Sequence, residues 1–233
     1  MPTEDKATTL IEDEATISIR DKATIPAEDR ATEIAKKRWN RTARLYDPVM
    51  ALVERVRLRK WRRLAWSRVE GSRILEIAVG TGKNFPYYPA DAEITAVDLS
   101  EGMLERARNR AARQKVDVRL QQMDVQNLEF DDNTFDTVAA TFVFCSIPDQ
   151  VRGIREVERV CKPGGKVVIL EQDLSSNRIL GWLLNVANPL LVRMIGANFN
   201  RRPVDNVARS GLRVEQVTDL WRGRFKLIEA RKG

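Results

Sequence analysis

A short apolar run, Ile74–Val79, ends in two glycines, Gly80 and Gly82, and this junction constrains the fold more than any other feature. A strand that is buried on both faces of a parallel sheet has such a sequence. Glycine allows the tight turn and the close approach of a ligand. The run also contains Glu76, and a carboxyl group in a buried strand is costly unless it is hydrogen-bonded or functional. The junction therefore predicts a buried strand that leads into a ligand-binding turn.

A second apolar run, residues 93–97, ends in Asp98, sixteen residues after Gly82. A glycine turn followed by an acid at the end of the next strand is an arrangement that holds a nucleoside, with the carboxylate on the ribose hydroxyls. The turn has the pattern E-x-A-x-G-x-G and no basic residue for a pyrophosphate, so it is not a dinucleotide fingerprint. An ordinary strand, turn and helix of another α/β fold is the alternative.

Strand-like and helix-like patterns alternate through the rest of the chain, which predicts a parallel sheet with helices on both faces. The last two strand-like runs flank Arg222-Gly223, and a tight hairpin joins only antiparallel strands. We therefore expect an α/β fold: a Rossmann-like, doubly wound, mostly parallel seven-stranded sheet with a C-terminal antiparallel hairpin, plus an N-terminal helical extension. The predicted strands are residues 73–78, 93–97, 116–120, 135–142, 166–170, 213–220 and 225–231. The predicted helices are residues 33–45, 49–66, 102–114, 147–160, 179–195 and 204–209, with one more beginning near Asn84 or after Pro86.

Polar residues stand at the ends of the predicted parallel strands. In open α/β sheets, ligands bind beyond the carboxyl ends of the strands. The sequence therefore predicts one site, built from residues 76–82, Asp98, Asp124, residues 141–145 and Glu171.

The chain has 233 residues and no histidine, so the commonest general base and metal ligand is absent. This excludes a Ser-His-Asp hydrolase and argues against a zinc enzyme, and we predict no metal. The two cysteines, Cys145 and Cys161, lack metal-ligand spacing and suit a reducing cytosol. An acidic, polar N-terminus is unlike a signal peptide, and no stretch of eighteen residues is uniformly apolar. We expect a cytoplasmic protein, with peripheral attachment to the inner face of the membrane as an option.

The N-terminal part of the chain consists of an acidic segment followed by a basic one. Residues 1–35 hold four Lys/Arg and nine Asp/Glu, a net −5, and contain four copies of D-x-A-T at intervals of eight residues. Residues 36–73 hold thirteen Lys/Arg and three acids, a net +10. We predict an acidic tail over 1–35 that is disordered unless it docks, a basic amphipathic lid or membrane-facing segment over 36–70, and a ligand-binding domain over 71–233.

The basic segment has two interpretations. Its predicted helix over 49–66 combines leucines and tryptophans with six basic residues from Arg55 to Arg63, a pattern typical of helices at a membrane surface. The same pattern fits a helix that packs on the domain and keeps its basic side chains in water. The apolar but interrupted segment 179–195 suits a cap over the site.

Five motifs resemble those of class I S-adenosylmethionine (SAM)-dependent methyltransferases of the type 11 group, and the resemblance covers residues 39–231. The motifs are Glu76-x-x-x-Gly80-x-Gly82, Val97-Asp-Leu-Ser-Glu-Gly-Met103, Met123-Asp-Val125, Phe135-Asp136 and Arg159-Val-Cys-Lys-Pro-Gly-Gly165. Ala78 stands where the family has its first glycine. The most similar branches are phosphatidylethanolamine N-methyltransferases, ubiquinone/menaquinone C-methyltransferases and thiol S-methyltransferases. Thiol-branch members often carry Glu-His after strand five, where this chain has Glu171-Gln172.

The resemblance implies a SAM site and a role for each matching residue. Glycines Gly80 and Gly82 approach the methionine part, and Glu76 orders their turn or meets the ammonium group. Asp98 accepts the ribose hydroxyls and Asp124 the adenine amino group. The remaining implied contacts are Leu99 and Met103 on adenine or ribose, the Val125 amide on the ring, the Thr141 carbonyl near the ammonium, Ala78 and Asn84 in the turn, and Tyr46 as a catalytic lid residue. For Leu99 and Met103, core packing is the alternative; for Tyr46 it is a surface aromatic.

The implied reaction is methyl transfer to a lipophilic or membrane-associated acceptor, with the amine of a phospholipid headgroup as the first choice. Quinone carbon and small thiols are the alternatives within the family, and an anionic membrane surface is the expected partner. An RNA methyltransferase is disfavoured, because strand four ends in Thr141-Phe-Val-Phe rather than in an Asp/Asn-Pro-Pro-aromatic motif. A non-catalytic SAM-binding module is a further alternative. With no histidine, the candidate proton acceptors are Tyr46, Asp47, Glu171 and solvent.

Overall fold

The computed structural model describes residues 30–41, 43, 58–173 and 203–233. The helices are α1 (residues 30–41), α2 (Arg59–Trp66), α3 (Glu101–Gln114), α4 (Gln150–Val160) and α5 (Pro203–Ala208), with a 3₁₀ turn at Phe85–Tyr87. The strands are β1 (Arg73–Ile77), β2 (Glu93–Asp98), β3 (Arg119–Gln122), β4 (Phe135–Thr141), β5 (Cys161–Gln172), β6 (Arg213–Leu220) and β7 (Phe225–Arg231).

The seven strands form one sheet in the order β3-β2-β1-β4-β5-β7-β6. The first five strands are parallel, and β7 pairs antiparallel with both β5 and β6. This confirms the predicted fold class, including the antiparallel hairpin. The strand order reverses between β1 and β4, and a crevice forms at such a switch point. Residue Ile77 pairs with Val97 on one side and with Ala140 on the other, so the ends of these three strands are level.

Helix α3 begins at the N-cap that its sequence predicted. The side chain of Ser100 accepts a hydrogen bond from the amide of Met103, and Glu101 lies in the first turn. An N-cap and an early acid stabilise a helix start, as predicted. The predicted helix after Asn84 is only the 3₁₀ turn at Phe85–Tyr87, because Tyr88, which precedes Pro89, is extended and ends it. Strand β3 begins at Arg119 instead of Val116, because α3 ends at Gln114 with Lys115 in the left-handed conformation.

Helix α2 packs against the sheet with its aromatic residues inward. Trp61 contacts the apolar cluster of β5 and β7, and Trp66 packs against β1, β2 and β4. Among the predicted solvent-facing cations of this helix, Arg59, Lys60 and Arg63 are exposed. The prediction was wrong for Arg62, which is only 4% exposed. For the described part of the helix, the structure supports the packed interpretation.

Several predictions fall outside the described residues. These are most of the acidic repeat, Tyr46, Asp47, the N-terminal part of the 49–66 helix and the segment 179–195. The predicted boundary after residue 35 falls inside α1, which spans residues 30–41. Within the described ranges, no helix combines the length and the apolar character needed to cross a bilayer.

Candidate functional site

A cleft lies at the C-terminal ends of β1, β2 and β4, and its empty volume, including the part open to solvent, is about 830 Å³. Helices α1 and α2 complete its wall through Ala35, Trp39 and Arg62. Eight of the twelve predicted site residues line the cleft: Ala78, Gly80, Asp98, Leu99, Met103, Asp124, Val125 and Thr141. Met103 is also 3% exposed, so it serves both the core and the cleft wall.

The glycine turn after β1 has one glycine toward the cleft and one toward the core. Both have positive φ, 56° at Gly80 and 76° at Gly82. A Cβ atom added at Gly80 would meet no protein atom within 4 Å, whereas one at Gly82 would lie 2.3 Å from the ring of Phe85. Gly80 therefore leaves space for a ligand, and Gly82 leaves space for the core.

Asp98 ends β2 and holds the turn in place. One carboxylate oxygen, Oδ2, accepts a hydrogen bond of 2.8 Å from the amide of Gly80, and Oδ1 accepts one of 2.8 Å from the amide of Ser100. Burial raises the pKa of the Asp98 carboxyl to about 6, against the effect of these two amides. Each oxygen has a second lone pair for a ligand hydroxyl.

Asp124 follows β3 and is tied to its surroundings by Gln126. The side-chain amide of Gln126 donates to both carboxylate oxygens of Asp124 and, over 3.0 Å, to the hydroxyl of Thr32 in α1. Gln126 also accepts a hydrogen bond from the amide of Asp149, the N-cap of α4. Helix α1 and the N-cap of α4 therefore hold Gln126, which fixes the position of the Asp124 carboxylate at the cleft.

A buried polar network lies behind the end of β1 and includes the predicted residues Glu76 and Asn84. The side-chain amide of Asn84 donates to Glu76 and, over 2.8 Å, to the hydroxyl of Thr141. The hydroxyl of Tyr88 donates to the other carboxylate oxygen of Glu76. Burial raises the pKa of the Glu76 carboxyl to about 7, although these hydrogen bonds and the positive charge of Arg62 favour its charged form. Glu76 and Asn84 therefore support the lining of the cleft from behind.

Arg62 completes this network and was not predicted as a site residue. Its Nη1 donates to Asn84 Oδ1 at 3.1 Å and to Thr141 Oγ1 at 2.8 Å, and its guanidinium lies 4.9 Å from the ring centroid of Phe142. The sequence signal was its spacing: Arg62 stands four residues after Leu58 and four before Trp66, which are both buried. Residues four apart share a helix face, so this spacing places Arg62 on the inward side.

Glu171 at the end of β5 orders the loop that follows β4. Its Oε2 accepts hydrogen bonds from the amides of Val143 and Phe144, and its side chain is 1% exposed. Burial raises the pKa of the Glu171 carboxyl to about 7, against these amides. Glu171 is not among the cleft-lining residues, so the structure assigns it a supporting position and not that of a proton acceptor. Phe142, the first residue of the loop, has φ of 59° and lines the cleft.

Helix α1 docks over the cleft through Asn40. Asn40 Oδ1 accepts a hydrogen bond of 2.6 Å from the hydroxyl of Ser100 and one of 3.0 Å from the amide of Gly102. Ala35 and Trp39 of the same helix line the cleft. The lid predicted at Tyr46 lies outside the described residues, and α1 closes this side of the cleft.

Comparisons with known proteins agree with this geometry. Residues 75–169 match the family described as a methyltransferase domain. Over 111 residues the chain is 40% identical to a phosphatidylethanolamine N-methyltransferase from Cereibacter sphaeroides, an alignment that covers 47% of this chain and 55% of the relative. Over 160 residues it is 34% identical to a demethylmenaquinone methyltransferase from Renibacterium salmoninarum, covering 67% of this chain and 65% of the relative. The chain thus spans about half to two thirds of the length of these relatives.

A solved structure of a SAM-dependent methyltransferase from Thermotoga maritima has the same fold. It superposes with a TM-score of 0.66 at 23% identity and covers 84% of this chain and 98% of that one. The shared fold places the ends of the parallel strands at corresponding positions.

Proposed function

We propose, from the premise that residues 75–169 match the methyltransferase-domain family as the sequence motifs predicted, that the protein transfers a methyl group from SAM to a lipophilic acceptor. The acceptor that we propose first is the amine of a phospholipid headgroup. The observation that carries the proposal is the pair Asp98 and Asp124, which lie at one cleft together with the open side of Gly80.

The residues of the cleft fit SAM, which we propose as the cofactor. Asp98 has acceptor capacity for two neighbouring hydroxyls, as a ribose requires, and Asp124 offers a fixed carboxylate for an exocyclic amine. The space beside Gly80 would be filled by any side chain. The positive charge of Arg62 on the cleft wall suits the carboxylate of an amino-acid group, and the buried Glu76 behind the wall lies in the same hydrogen-bond network.

The reaction requires the protein to position the acceptor more than to transfer a proton. SAM supplies a methyl group that is already activated on a sulfonium. The chain must hold the acceptor in line and exclude water. Trp39, Phe142 and Ile147 form an apolar part of the cleft wall that can do both. In the described part of the chain, the acidic residues on the cleft wall are Asp98 and Asp124, and both already accept hydrogen bonds from backbone or side-chain amides.

Two observations support a lipophilic acceptor. The wall residues Trp39, Phe142 and Ile147 are apolar, and both relatives described above carry names of enzymes for lipid-like acceptors, a phospholipid and a menaquinone precursor. The 40% identity to the phosphatidylethanolamine enzyme favours the amine. The match to the demethylmenaquinone enzyme extends over 160 residues, which favours quinone carbon as the second candidate.

The test is a transfer assay with SAM labelled in its methyl group. Phosphatidylethanolamine in mixed micelles, demethylmenaquinol and a small thiol are offered separately, and each product is separated before counting. We expect label in the phospholipid fraction and a loss of that label in Asp98→Asn. Label in the quinol or in the thiol alone would replace the proposed acceptor, and the absence of transfer to all three, with cofactor binding intact, would favour a non-catalytic SAM-binding module.

A further inference from the structure

The packing of α2 changes where a membrane-facing surface can lie. Trp61 and Trp66, which suggested an interfacial helix, are 9% and 3% exposed and contact the sheet. Among the described residues, the exposed large apolar side chains are Ile34, Val217 and Trp221. Only the last of these is a tryptophan, the residue type that favours the boundary between lipid and water.

Trp221 lies at the tip of the β6–β7 hairpin, and 45% of its surface is exposed. The amide of Arg224 donates to the carbonyl of Trp221, which closes the turn. Trp221, Arg222 and Gly223 have φ of 43°, 58° and 76°. Positive φ is rare for a bulky residue such as tryptophan, and persistent backbone strain of this kind is concentrated at functional positions.

The tip lies at the same end of the sheet as the cleft. Phe225 pairs with Gln172 at the C-terminal end of β5, and that end of the parallel strands forms the cleft. The ring of Phe225 lies 6.0 Å from that of Trp221 and 5.9 Å from that of Phe142, which lines the cleft. A continuous set of aromatic rings therefore connects the exposed tip with the cleft wall.

Positive charge surrounds the exposed indole. The guanidinium of Arg224 lies 5.1 Å from the centroid of the Trp221 ring, and Arg222 is exposed beside it. Arg59 and Lys60 of α2 are exposed within two residues of Trp61, whose ring is 4.7 Å from that of Phe225. Lys226 pairs with both Asp219 and Asp173, so this group of three carries one net negative charge against the four cations Arg222, Arg224, Arg59 and Lys60. A tryptophan among arginines fits a surface that is both anionic and partly apolar.

We propose that the hairpin tip, Trp221–Arg224, docks on an anionic lipid bilayer and seats the Trp221 indole at the level of the headgroups. The opening of the cleft is thereby held next to the membrane, where a lipophilic acceptor resides. The docking itself does not depend on the proposed function, whereas its purpose does.

The experiment is flotation of the full chain with vesicles, at low and at high salt. One vesicle type contains phosphatidylglycerol in phosphatidylcholine, and the other is phosphatidylcholine alone. We expect binding to the anionic vesicles that weakens with salt. Trp221→Ala should lower the vesicle affinity about ten-fold, because it removes apolar surface that the bilayer would otherwise bury. Arg222→Ala should lower it about five-fold. Val217→Ser, which removes an exposed apolar side chain from the same hairpin, is the matched control and should leave it unchanged.

Quenching by brominated lipid tests the position of the indole directly. Fluorescence of the wild type should be quenched by brominated anionic vesicles, and the quenched component should be absent in Trp221→Phe, which retains an aromatic ring. Thermal unfolding of every variant verifies the fold, so these outcomes are independent of cofactor binding and of methyl transfer. The proposal is overturned if Trp221→Ala and Val217→Ser bind vesicles equally, if no vesicle type is bound, or if the tip variants lose affinity for RNA instead.

Discussion

The guanidinium of Arg62 donates a 2.8 Å hydrogen bond to the hydroxyl of Thr141, and this contact joins α2 to the C-terminal end of β4. The same nitrogen donates to Asn84, which in turn donates to Glu76. Helix α2, which forms part of the cleft wall, is therefore hydrogen-bonded to the turn that we propose holds the cofactor. A hydrogen bond to a charged group contributes about 1.5–3 kcal/mol, so this contact is large enough to couple helix position to cofactor affinity.

Arg62→Ala should weaken the binding of S-adenosylhomocysteine by about ten-fold or more, because it removes a buried cation and leaves Asn84 and Thr141 without one donor. Arg63→Ala is the matched control, since Arg63 is the exposed neighbour on the same helix. Titration calorimetry measures both affinities, and thermal unfolding separates loss of affinity from loss of fold. Equal affinity in the two variants would contradict a role for Arg62 at the site.

The buried carboxyl of Glu76 should make the ligand-free protein less stable at pH 8 than at pH 5. Its pKa in the fold, about 7, lies above the ordinary value of 4.5, so the folded protein binds more protons than the unfolded chain between these values. Stability therefore falls as the pH rises from about 4.5 to about 7, by roughly 3 kcal/mol for such a shift. Asp98 and Glu171 act in the same direction.

Glu76→Gln should flatten this pH dependence, because the amide has no charge to lose. The Tyr88 hydroxyl can reverse and accept from the new amide, so the network need not break. Urea unfolding at several pH values measures the effect. If the stability of Glu76→Gln falls with pH as steeply as that of the wild type, the Glu76 carboxyl is not the source of the pH dependence.

Substitutions of the two glycines of the turn should affect different properties, ligand binding at Gly80 and fold stability at Gly82. Gly82→Ala places a Cβ atom 2.3 Å from the Phe85 ring and should destabilise the fold by about 2–4 kcal/mol. Gly80→Ala meets open space and should cost only about 1–2 kcal/mol from its positive φ, yet it should weaken cofactor binding strongly. Chemical unfolding and calorimetry on both variants check this. The reverse ranking would place the ligand on the other side of the turn.

Asn40→Ala should loosen α1 from the cleft. It removes the acceptor for the Ser100 hydroxyl and the Gly102 amide, and a hydrogen bond of this kind contributes about 0.5–1.5 kcal/mol. We expect a weaker affinity for S-adenosylhomocysteine of about five-fold and faster proteolysis near residues 30–41, with the unfolding of the sheet unchanged. Lys37→Ala, an exposed change on the same helix, is the control. Unaltered affinity in Asn40→Ala would mean that α1 does not close the site.

The sequence predicted those features that depend on local pattern. The boundaries of β6 and β7, the N-cap at Ser100 and the grouping of Asp98 with Asp124 follow from alternation, capping and the level ends of parallel strands. Arg62 was missed because arginine is usually exposed to solvent, and the contacts that favour its burial, with Asn84, Thr141 and Phe142, come from segments distant in the sequence. Glu171 was expected at the site, but amides of the loop after β4 engage its carboxylate, and the sequence does not encode their direction.

The central claim is that one cleft, at the ends of β1, β2 and β4, binds SAM through Asp98. Calorimetric titration of S-adenosylhomocysteine into the wild type and Asp98→Asn tests it most directly. We predict one site per chain in the wild type and an affinity at least about ten-fold weaker in Asp98→Asn, because the charge that strengthens a hydrogen bond to ribose is lost and the remaining oxygen can accept from only one of the amides of Gly80 and Ser100. A wild type that binds no S-adenosylhomocysteine, or an Asp98→Asn variant that binds it as tightly, would contradict the account.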